Sequence, residues 1–476
     1  MSDTAAPEPL VSVIIPVYNA AKYLRETLDC VCNQTLREIE IICVDDGSTD
    51  DSPAILQEYA AKDGRFRILR QKNRYAGVAR NNGMAVAGGT YMAFWDSDDI
   101  FFPEMLEKLY RRAQETNADL VCCNGMEYDE GTKKLTKAPW ILPGIREPQI
   151  DSRLFNPMAD APEEVFSYSG SAPWNKLYKR AFVEQFHITW LETQSSNDLT
   201  FVCHCMAVAR RVSLLDETLM HYRVRQNSIW HSKSKSPANM YEAHLELLHR
   251  MRECSMPGKV IEGVYLHLLD ELSVHLSGDA CDNPAERAEL FVRGYEPQFG
   301  LFGQDFPLLT RHPAYIHLKA YAEPDATIVI VPEGREDGLE RSIEGVSRWP
   351  VEVVLDISRS DIQTARYAES VARQYFWVRT SAKSVEPKTS ATATLSPGRF
   401  PIPTIPLTAH IARAGRNGTV NLDLVSRKYR NWPWFHVCTP SRYSWLLFGL
   451  PLLTVSYQRD TAYTFMLGQR IATRRL

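Results

Sequence analysis

The chain has 476 residues, which is too long for one ordinary hydrophobic core and predicts two or three domains. It contains 54 basic and 58 acidic residues, a formal net charge of −4, so no global positive field would attract a nucleic acid. The first residues, MSDTAAPEPL, lack the features of a signal peptide, and no apolar run reaches the roughly 20 residues of a transmembrane helix.

The ten cysteines are scattered, and several lie inside apolar segments. Two C-x-C pairs lack the C-x-x-C spacing of a zinc knuckle. This pattern favours buried free thiols in a reducing cytosol, so we expect a cytoplasmic protein. The cysteines concerned are Cys43, Cys122 and Cys123 in the apolar segments, and Cys30/Cys32 and Cys203/Cys205 in the pairs.

The first 125 residues alternate between strand-like and helix-like segments. Apolar, β-branched runs are followed by stretches with helical spacing, and Ser52 before Pro53 predicts the N-cap of one helix. This alternation predicts an α/β fold with a doubly wound, mostly parallel, Rossmann-like sheet. The predicted strands are 11–17, 38–44, 65–69, 91–95 and 119–124, and the predicted helices are 22–34, a helix from 53, 77–89 and 103–117.

The rest of the chain is less regular. Prolines interrupt 126–195, whereas the residues from about 237 to 295 have helical spacing. A strand–helix–strand rhythm over 326–358 loosely repeats the first strands, and the runs on either side of QRDTA predict a terminal β-hairpin. We therefore predict a first α/β domain over 1–235, a helical extension over 236–300, and a smaller α/β or α+β domain of unassigned role over 320–476.

Polar residues follow three of the predicted strands. The first strand ends in PVYN, the second in DDGS and the fourth in DSDD. Ligands bind beyond the carboxyl ends of the strands in a doubly wound sheet, so these residues are expected to converge on one edge. The converging residues are Pro16, Tyr18, Asn19, Asp45, Asp46, Asp96, Ser97, Asp98 and Asp99.

The acids of DSDD need a positive partner. Three like charges this close repel one another and resist desolvation. Carboxylate oxygens suit Mg²⁺ or Mn²⁺, ions that leave coordination positions open for substrate phosphates. Asp96 and Asp98 are therefore candidate ligands of a divalent ion bridging a diphosphate, while capping of the helix after Pro103 is an alternative role for Asp99.

The motifs VSVIIPVYN, VDDGSTDDS, ARNNG and WDSDD, in this order and spacing, resemble those of family 2 glycosyltransferases with the GT-A fold. The resemblance covers roughly residues 10–230. It implies that residues 1–235 form a metal-dependent, inverting transferase domain that binds a nucleotide sugar, with a UDP-sugar as the expected donor.

The resemblance also implies roles on the donor side. Asp46 would hydrogen-bond the uracil ring, with Tyr18 lining the base pocket, and Asp98 would ligate the metal directly with Asp96 as its partner. Arg80 would lie near the nucleotide, although a solvated helix arginine is an alternative. The implied nucleotide-sugar residues are Pro16, Tyr18, Asn19, Asp46, Arg80, Asp96, Ser97 and Asp98.

On the acceptor side, SSNDLTFVCHCMAVA matches a segment where the family carries a Glu-Asp pair whose Asp deprotonates the acceptor hydroxyl. Asp198 is therefore the implied catalytic base, and it could also cap the helix that follows it. Asn197 departs from the usual Glu and removes one carboxylate. APWNKLYKRAF resembles the acceptor segment, in which Trp174 would stack on a sugar or belong to the core, and Asn175 and Lys176 would make polar contacts.

LMHYRVRQNSIW resembles the segment that closes the family's site. It implies a loop that folds over the diphosphate. The sequence leaves the third metal ligand open. The diphosphate residues would be Arg223, Asn227 and Ser228, and the third ligand would be Gln226, His221, His231 or none of these.

A single base opposite a metal-bound leaving group implies in-line displacement with inversion at the anomeric carbon. The implied acceptor is a glycan or lipid-linked glycan in the synthesis of lipopolysaccharide, capsule or exopolysaccharide. One alternative is a catalytically weak or inactive nucleotide- or glycan-binding subunit of an assembly complex, which Asn197 favours and the intact DSDD and Asp198 disfavour. A nucleotidyltransferase is disfavoured because no Gly-rich loop follows the first strand.

The end of the chain places arginines beside an apolar segment. Arg470, Arg474 and Arg475 follow LFGLPLLTVSY and YTFML. Such a segment predicts peripheral contact with an anionic membrane surface, near a lipid-linked acceptor. An edge hairpin packed on its own domain is the alternative.

Overall fold

The structure is a computed structural model and describes part of the chain. The described residues are 8–146, 149–160, 162–225, 237–276, 284–322, 326–330, 343, 347, 351–357, 362–375, 377–381, 391–395, 418–423, 434–439, 442–447, 450–458, 461–466 and 469–475. The chain divides into two compact units, Met1–Leu268 and Leu269–Leu476. The predicted domain limits at 235 and 300 stay predictions.

The first unit contains a mixed sheet, to which the described residues contribute nine strands, with helices between them. Its strands are β1 (Val11–Val17), β2 (Ile39–Asp45), β3 (Phe66–Arg70), β4 (Tyr91–Phe94), β5 (Ile100–Phe101), β6 (Leu120–Asp129), β7 (Leu135–Lys137), β8 (Lys176–Lys179) and β9 (Val212–Val224). The helices before β9 are α1 (Ala21–Cys32), α2 (Ser52–Lys62), α3 (Tyr75–Met84), α4 (Met105–Thr116), α5 (Pro157–Asp160), α6 (Arg180–Gln185) and α7 (Asn197–Val208).

The sheet has the order β3-β2-β1-β4-β8-β6-β9-β5, and β7 pairs with β6. All seven residues of β1 are buried, as expected of an apolar strand covered on both faces. β1 pairs in parallel with β2 and with β4, so the chain reverses its direction of winding between β1 and β4. The carboxyl ends at such a switch point form the usual ligand crevice. The predicted doubly wound α/β fold is confirmed.

Several local predictions need correction. Helix α2 begins at Ser52 itself, with Asp51 at the N-cap position, and Ser52 Oγ accepts a hydrogen bond from the Ala20 amide at 2.9 Å. Ser52 therefore ties the start of α1 to α2. The sequence interpretation also missed β5 and the 13-residue β9, because β9 mixes buried apolar residues with exposed acids.

Helices α8 (Ala238–Glu253) and α9 (Gly258–His275) follow β9. The second unit has a sheet to which the described residues contribute ten strands; the first five in its order are parallel and the remainder are antiparallel. Its strands are β10 (Ala326–Ile330), β11 (Val351–Asp356), β12 (Val378–Ser381), β13 (Ala391–Leu395), β14 (Gly418–Asp423), β15 (Trp434–Thr439), β16 (Arg442–Leu447), β17 (Leu450–Gln458), β18 (Thr461–Met466) and β19 (Gln469–Arg475). Its helices are α10 (Pro284–Leu290), α11 (Glu296–Phe299), α12 (Pro313–Ala322) and α13 (Ile362–Ala372).

The predicted terminal hairpin region lies within the antiparallel run, where β17 pairs with β18. Over the described residues, no helix combines the length and apolar character needed to cross a membrane.

Candidate active site

Asp46 is held in a fixed orientation just after β2. It is 2% exposed, and its Oδ1 accepts hydrogen bonds from Gln71 Nε2 at 2.7 Å and from the Arg74 amide at 2.8 Å. The Asp46 amide donates to the Val17 carbonyl at 2.8 Å, which joins the ends of β1 and β2. Gly47 follows at φ +75°, a conformation that favours glycine. These bonds leave Oδ2 of Asp46 for a ligand donor.

Tyr18 and Asn19 form the turn after β1, which Pro16 precedes within the strand. Tyr18 is 50% exposed. Asn19 adopts a left-handed φ of 47°, its Oδ1 accepts from the Thr49 amide at 2.8 Å, and its own amide donates to Ser48 Oγ at 3.0 Å. Asn19 therefore fixes the turn and presents the exposed Tyr18 ring near the end of β2.

The acids of DSDD follow β4 and are met by arginines from β9 and its continuation. Arg225 forms an ion pair with Asp98 Oδ2, and Arg223 Nε donates to the Asp98 carbonyl at 2.7 Å. The Arg223 amide donates to Oδ1 of the buried Asp99 at 2.9 Å. Helix α4 has Glu104 at its N-cap, so the alternative role of Asp99 as a helix cap is wrong.

Burial and neighbouring charges shift the pKa values of the acids in this cluster. Burial raises the pKa of Asp98 to about 6; Arg225 opposes this shift and Asp96 adds to it. Burial, followed by the charges of Asp98 and Asp96, raises the pKa of Asp99 well above its ordinary value. The arginine partners offset part of the repulsion expected from the sequence. Burial also disfavours the charged form of Asp99.

Arg80 is buried, so the alternative role of a solvated helix arginine is wrong. It is 5% exposed, and its guanidinium donates to Asp96 Oδ1 at 2.6 Å and to Asn197 Oδ1 at 2.9 Å. It also lies over the Trp190 ring, 4.5 Å from the ring centroid. Arg80 thus connects the end of β4 to the start of α7.

Asp198 is the second residue of α7 and is partly exposed. Ser97, between the acids of DSDD in the sequence, is partly buried. Oδ1 of Asp198 accepts from the Leu199 amide at 3.1 Å, so this carboxylate also contacts the helix start, as its alternative role suggested. The partial exposure of Asp198 suits a group that must reach a substrate.

Trp174, Asn175 and Lys176 lie in the protein interior. Trp174 stacks on Tyr222 with ring centroids 5.5 Å apart, and Asn175 Nδ2 donates to the Cys123 carbonyl at 2.7 Å. Burial lowers the pKa of Lys176, while nearby thiols and Asp198 act in the opposite direction. The core role left open for Trp174 is the one observed, and direct contact of these side chains with an acceptor would require a rearrangement.

Arg223 belongs to β9 and not to a loop, while Asn227, Ser228, Gln226 and His231 lie outside the described residues. His221 pairs with Ile100, and its ring contacts Phe102 at 4.9 Å. The sequence interpretation missed Arg225. The spacing of Arg223 and Arg225 in the sequence indicates a shared role, because residues two apart on a strand share a face. Both guanidinium groups lie over the Tyr23 ring, 5.1 Å from its centroid.

The donor set suits a hard divalent ion. Asp96 and Asp98 are partly exposed carboxylates, and the buried Asp99 Oδ2 has no hydrogen-bond partner in the described surroundings. Among the described residues, no group of three or more His, Cys, Asp or Glu side chains comes together as a complete metal site. Mg²⁺ and Mn²⁺ commonly bind through one or two carboxylates and substrate phosphates, so Asp96 and Asp98 fit such an ion.

Comparisons with known proteins identify a family for the first part of the chain. Residues 12–186 match the family described as "Glycosyl transferase family 2". The chain is 36% identical over 230 residues to "Putative glycosyltransferase EpsH" of Bacillus subtilis, covering 46% of this chain and 62% of that protein. It is 34% identical over 226 residues to "Glycosyltransferase GlyG" of Streptococcus pneumoniae, covering 46% of this chain and 72% of GlyG.

A third relative is "Cholesterol galactosyltransferase" of Borreliella burgdorferi, 31% identical over 252 residues, covering 51% of this chain and 70% of that protein. Among solved structures, S. aureus TarS 1–349 in complex with UDP-GlcNAc aligns at 20% identity with a TM-score of 0.45, covering 66% of this chain and 82% of TarS 1–349. The chain spans slightly less than two thirds of EpsH and of EpsJ, the first two relatives.

A doubly wound α/β domain with a fixed acid after β2 and an acidic cluster after β4 has its expected ligand crevice at the carboxyl ends of these strands. The chain belongs to family 2 of the glycosyltransferases.

Proposed function

We propose that this chain is an inverting glycosyltransferase that moves a sugar from a nucleotide sugar, with a UDP-sugar as the expected donor, to a glycan or lipid-linked acceptor in cell-surface polysaccharide synthesis. The observation that carries the proposal is the Arg80 bridge between Asp96 and Asn197. It brings the acidic cluster and the helix that begins next to Asp198 into one site.

Each side chain has a role in this proposal. Asp46 accepts a hydrogen bond from the base, and the exposed Tyr18 ring contacts the base face. Asp98 and Asp96 would hold Mn²⁺ or Mg²⁺, which would supply positive charge to offset that of a diphosphate leaving group. Asp198 takes the proton of the acceptor hydroxyl as the hydroxyl oxygen attacks the anomeric carbon on the face opposite the nucleoside diphosphate. The bond from the anomeric carbon to the diphosphate oxygen breaks, and the nucleoside diphosphate leaves. An α-linked donor therefore gives a β-linkage.

The acceptor and the location are the finer parts of the proposal. Family relatives carry glycosyltransferase names, and one is named for transfer to cholesterol, which supports an acceptor with lipid character. We expect a cytoplasmic protein with peripheral contact at the inner face of the membrane through the C-terminal arginines.

The test of the function is a donor-sugar panel with Mn²⁺, followed by Asp198→Asn. We expect transfer to fall by roughly 10²- to 10⁴-fold because the proton acceptor is lost, while calorimetric binding of UDP with Mn²⁺ stays near that of the parent. Asp98→Ala should weaken the metal-dependent UDP binding as well. Asp51→Asn changes an exposed acid at the start of α2 and serves as the control.

Full transfer by Asp198→Asn would show that the assigned base is wrong. Metal-dependent UDP binding by the parent protein, with no turnover of any donor, would instead identify the chain as a binding subunit.

A further inference from the structure

We propose that Arg80 is a positioning residue that holds the donor-side carboxylate Asp96 and the start of α7 in one arrangement, with Asn197 as its partner on the helix. This inference rests on the proposed function, because the proposed base Asp198 is the next residue along α7. It gives a structural role to Asn197, which stands where the resemblance to the family implies Glu.

The first support is the geometry of the guanidinium. Nη2 of Arg80 donates to Asp96 at 2.6 Å and Nη1 donates to Asn197 at 2.9 Å. Arg80 and Asn197 are both nearly inaccessible to solvent. A planar guanidinium fixes the angle between its donors, so a shift of one partner changes the bond to the other. The two acceptors are thereby held at a set separation.

The second support is the aromatic surface under the guanidinium. Arg80 lies over Trp190, and Trp190 stacks on Phe201 of α7 with centroids 4.1 Å apart and planes 7° apart. The neighbouring Asn81 exchanges two hydrogen bonds with the Trp190 backbone, at 3.0 and 2.9 Å. The Asn81 hydrogen bonds therefore attach helix α3 to the segment before α7 independently of Arg80. By fixing Trp190, they also restrict movement of the Arg80 side chain that lies over it.

The third support is the balance of charge. Arg80 contributes one positive charge and Asp96 one negative charge, while the Asn197 amide accepts a hydrogen bond without adding charge. Asp96 therefore has no carboxylate competitor for Arg80 at position 197. A carboxylate placed there would share the guanidinium and leave Asp96 less neutralised. Because Asn197 is neutral, it holds the start of α7 without changing the charge around Asp96.

Three variants test the inference. Asn197→Leu removes, at similar volume, the acceptor for Arg80 and the amide donor to the Thr193 carbonyl. We expect kcat to fall by roughly 10- to 100-fold with the donor KM changed by less than about threefold. Asn197→Asp keeps the acceptor and should restore most of kcat while shifting the donor KM, because the new carboxylate competes with Asp96. Arg80→Met should lower kcat and also change the donor KM. Arg65→Met is the control, since Arg65 pairs with Asp63 in another part of the unit.

An activity-independent measurement separates this inference from the proposed function. Hydrogen exchange of the backbone over 190–200, in the full chain without substrate, should accelerate in Asn197→Leu and Arg80→Met and stay unchanged in Arg65→Met. Unchanged exchange in both variants, or an Asn197→Leu enzyme with unaltered kcat, would overturn the positioning role. If the parent protein transfers no sugar, the proposed function fails, and the exchange result still decides whether Arg80 holds the start of α7.

Discussion

Among the described residues, the Asp98 carboxylate forms an ion pair with the Arg225 guanidinium, and the proposed metal would need the same carboxylate. Arg225 is partly exposed and comes directly after β9. Because both cations are attracted to the same carboxylate and repel each other at close range, we expect metal binding to compete with Arg225.

We therefore expect Arg225→Met to bind Mn²⁺ more tightly than the parent, by about fivefold, when no donor is present. The magnitude follows from the roughly 1 kcal/mol that a partly exposed ion pair contributes. The measurement is electron paramagnetic resonance of free Mn²⁺ at pH 8, above the pKa of about 6 that Asp98 has in the parent protein.

Arg74→Met is the matched control, because the Arg74 side chain pairs with the exposed Glu192 and not with the acidic cluster. Equal or weaker Mn²⁺ binding by Arg225→Met would contradict the competition between the guanidinium and the metal.

At the scale of elements, the site depends on how closely α3 approaches the chain before α7. Gly77 lies on this contact, and a Cβ there would overlap the Leu191 carbonyl oxygen and lie 3.2 Å from the Asn197 Cβ. We expect Gly77→Ala to lower the free energy of unfolding by roughly 2–4 kcal/mol, because backbone must move to admit the methyl group.

Urea unfolding followed by tryptophan fluorescence measures this change. Gly64→Ala is the control, since nothing lies within 4 Å of the added Cβ and the change should be within about 0.5 kcal/mol. A Gly77→Ala protein as stable as Gly64→Ala would mean that α3 and the segment before α7 are not in firm contact.

Sequence patterns predict the parallel half of the sheet well, because β1, β2 and β4 are short apolar runs that end in polar residues. They also predict which acids gather at the sheet edge. They do not predict the partners of those acids, because the contact between Arg80 and Asn197 joins positions 117 residues apart. Arg223 and Asp99 are separated by 124 residues and meet only because β9 pairs with β5.

The sequence left the core placement of Trp174 open as an alternative, and it did not predict the burial of Lys176. Lys176 is buried because the carbonyls of Gly170 and Ala172 accept from its ammonium group at 2.8 and 2.7 Å. An irregular segment supplies these acceptors, and its path has no periodicity from which burial could be inferred. Polar residues in such segments are therefore poorly assigned to surface or core from sequence alone.

At the scale of the whole molecule, the second unit ends in an edge strand. β19 is the last strand in its sheet order, pairs only with β18 among the described strands, and contains Arg470, Arg474 and Arg475. Positive residues on an edge strand discourage pairing with another sheet, and they also suit an anionic membrane surface. These two roles make different predictions for vesicle binding.

If the membrane role is correct, replacing Arg470, Arg474 and Arg475 together by Gln should weaken binding to phosphatidylglycerol-containing vesicles by on the order of 100-fold, since each basic residue contributes about 1 kcal/mol near an anionic surface. Co-sedimentation of the full chain measures the binding, and neutral vesicles should retain neither protein.

The control replaces Arg37, Arg111 and Arg210, three exposed arginines of the first unit, by Gln and makes the same change in net charge. Equal losses in both triple variants would assign the binding to net charge alone, and unchanged binding of the first would leave the edge-strand arginines with only their role against sheet-to-sheet pairing.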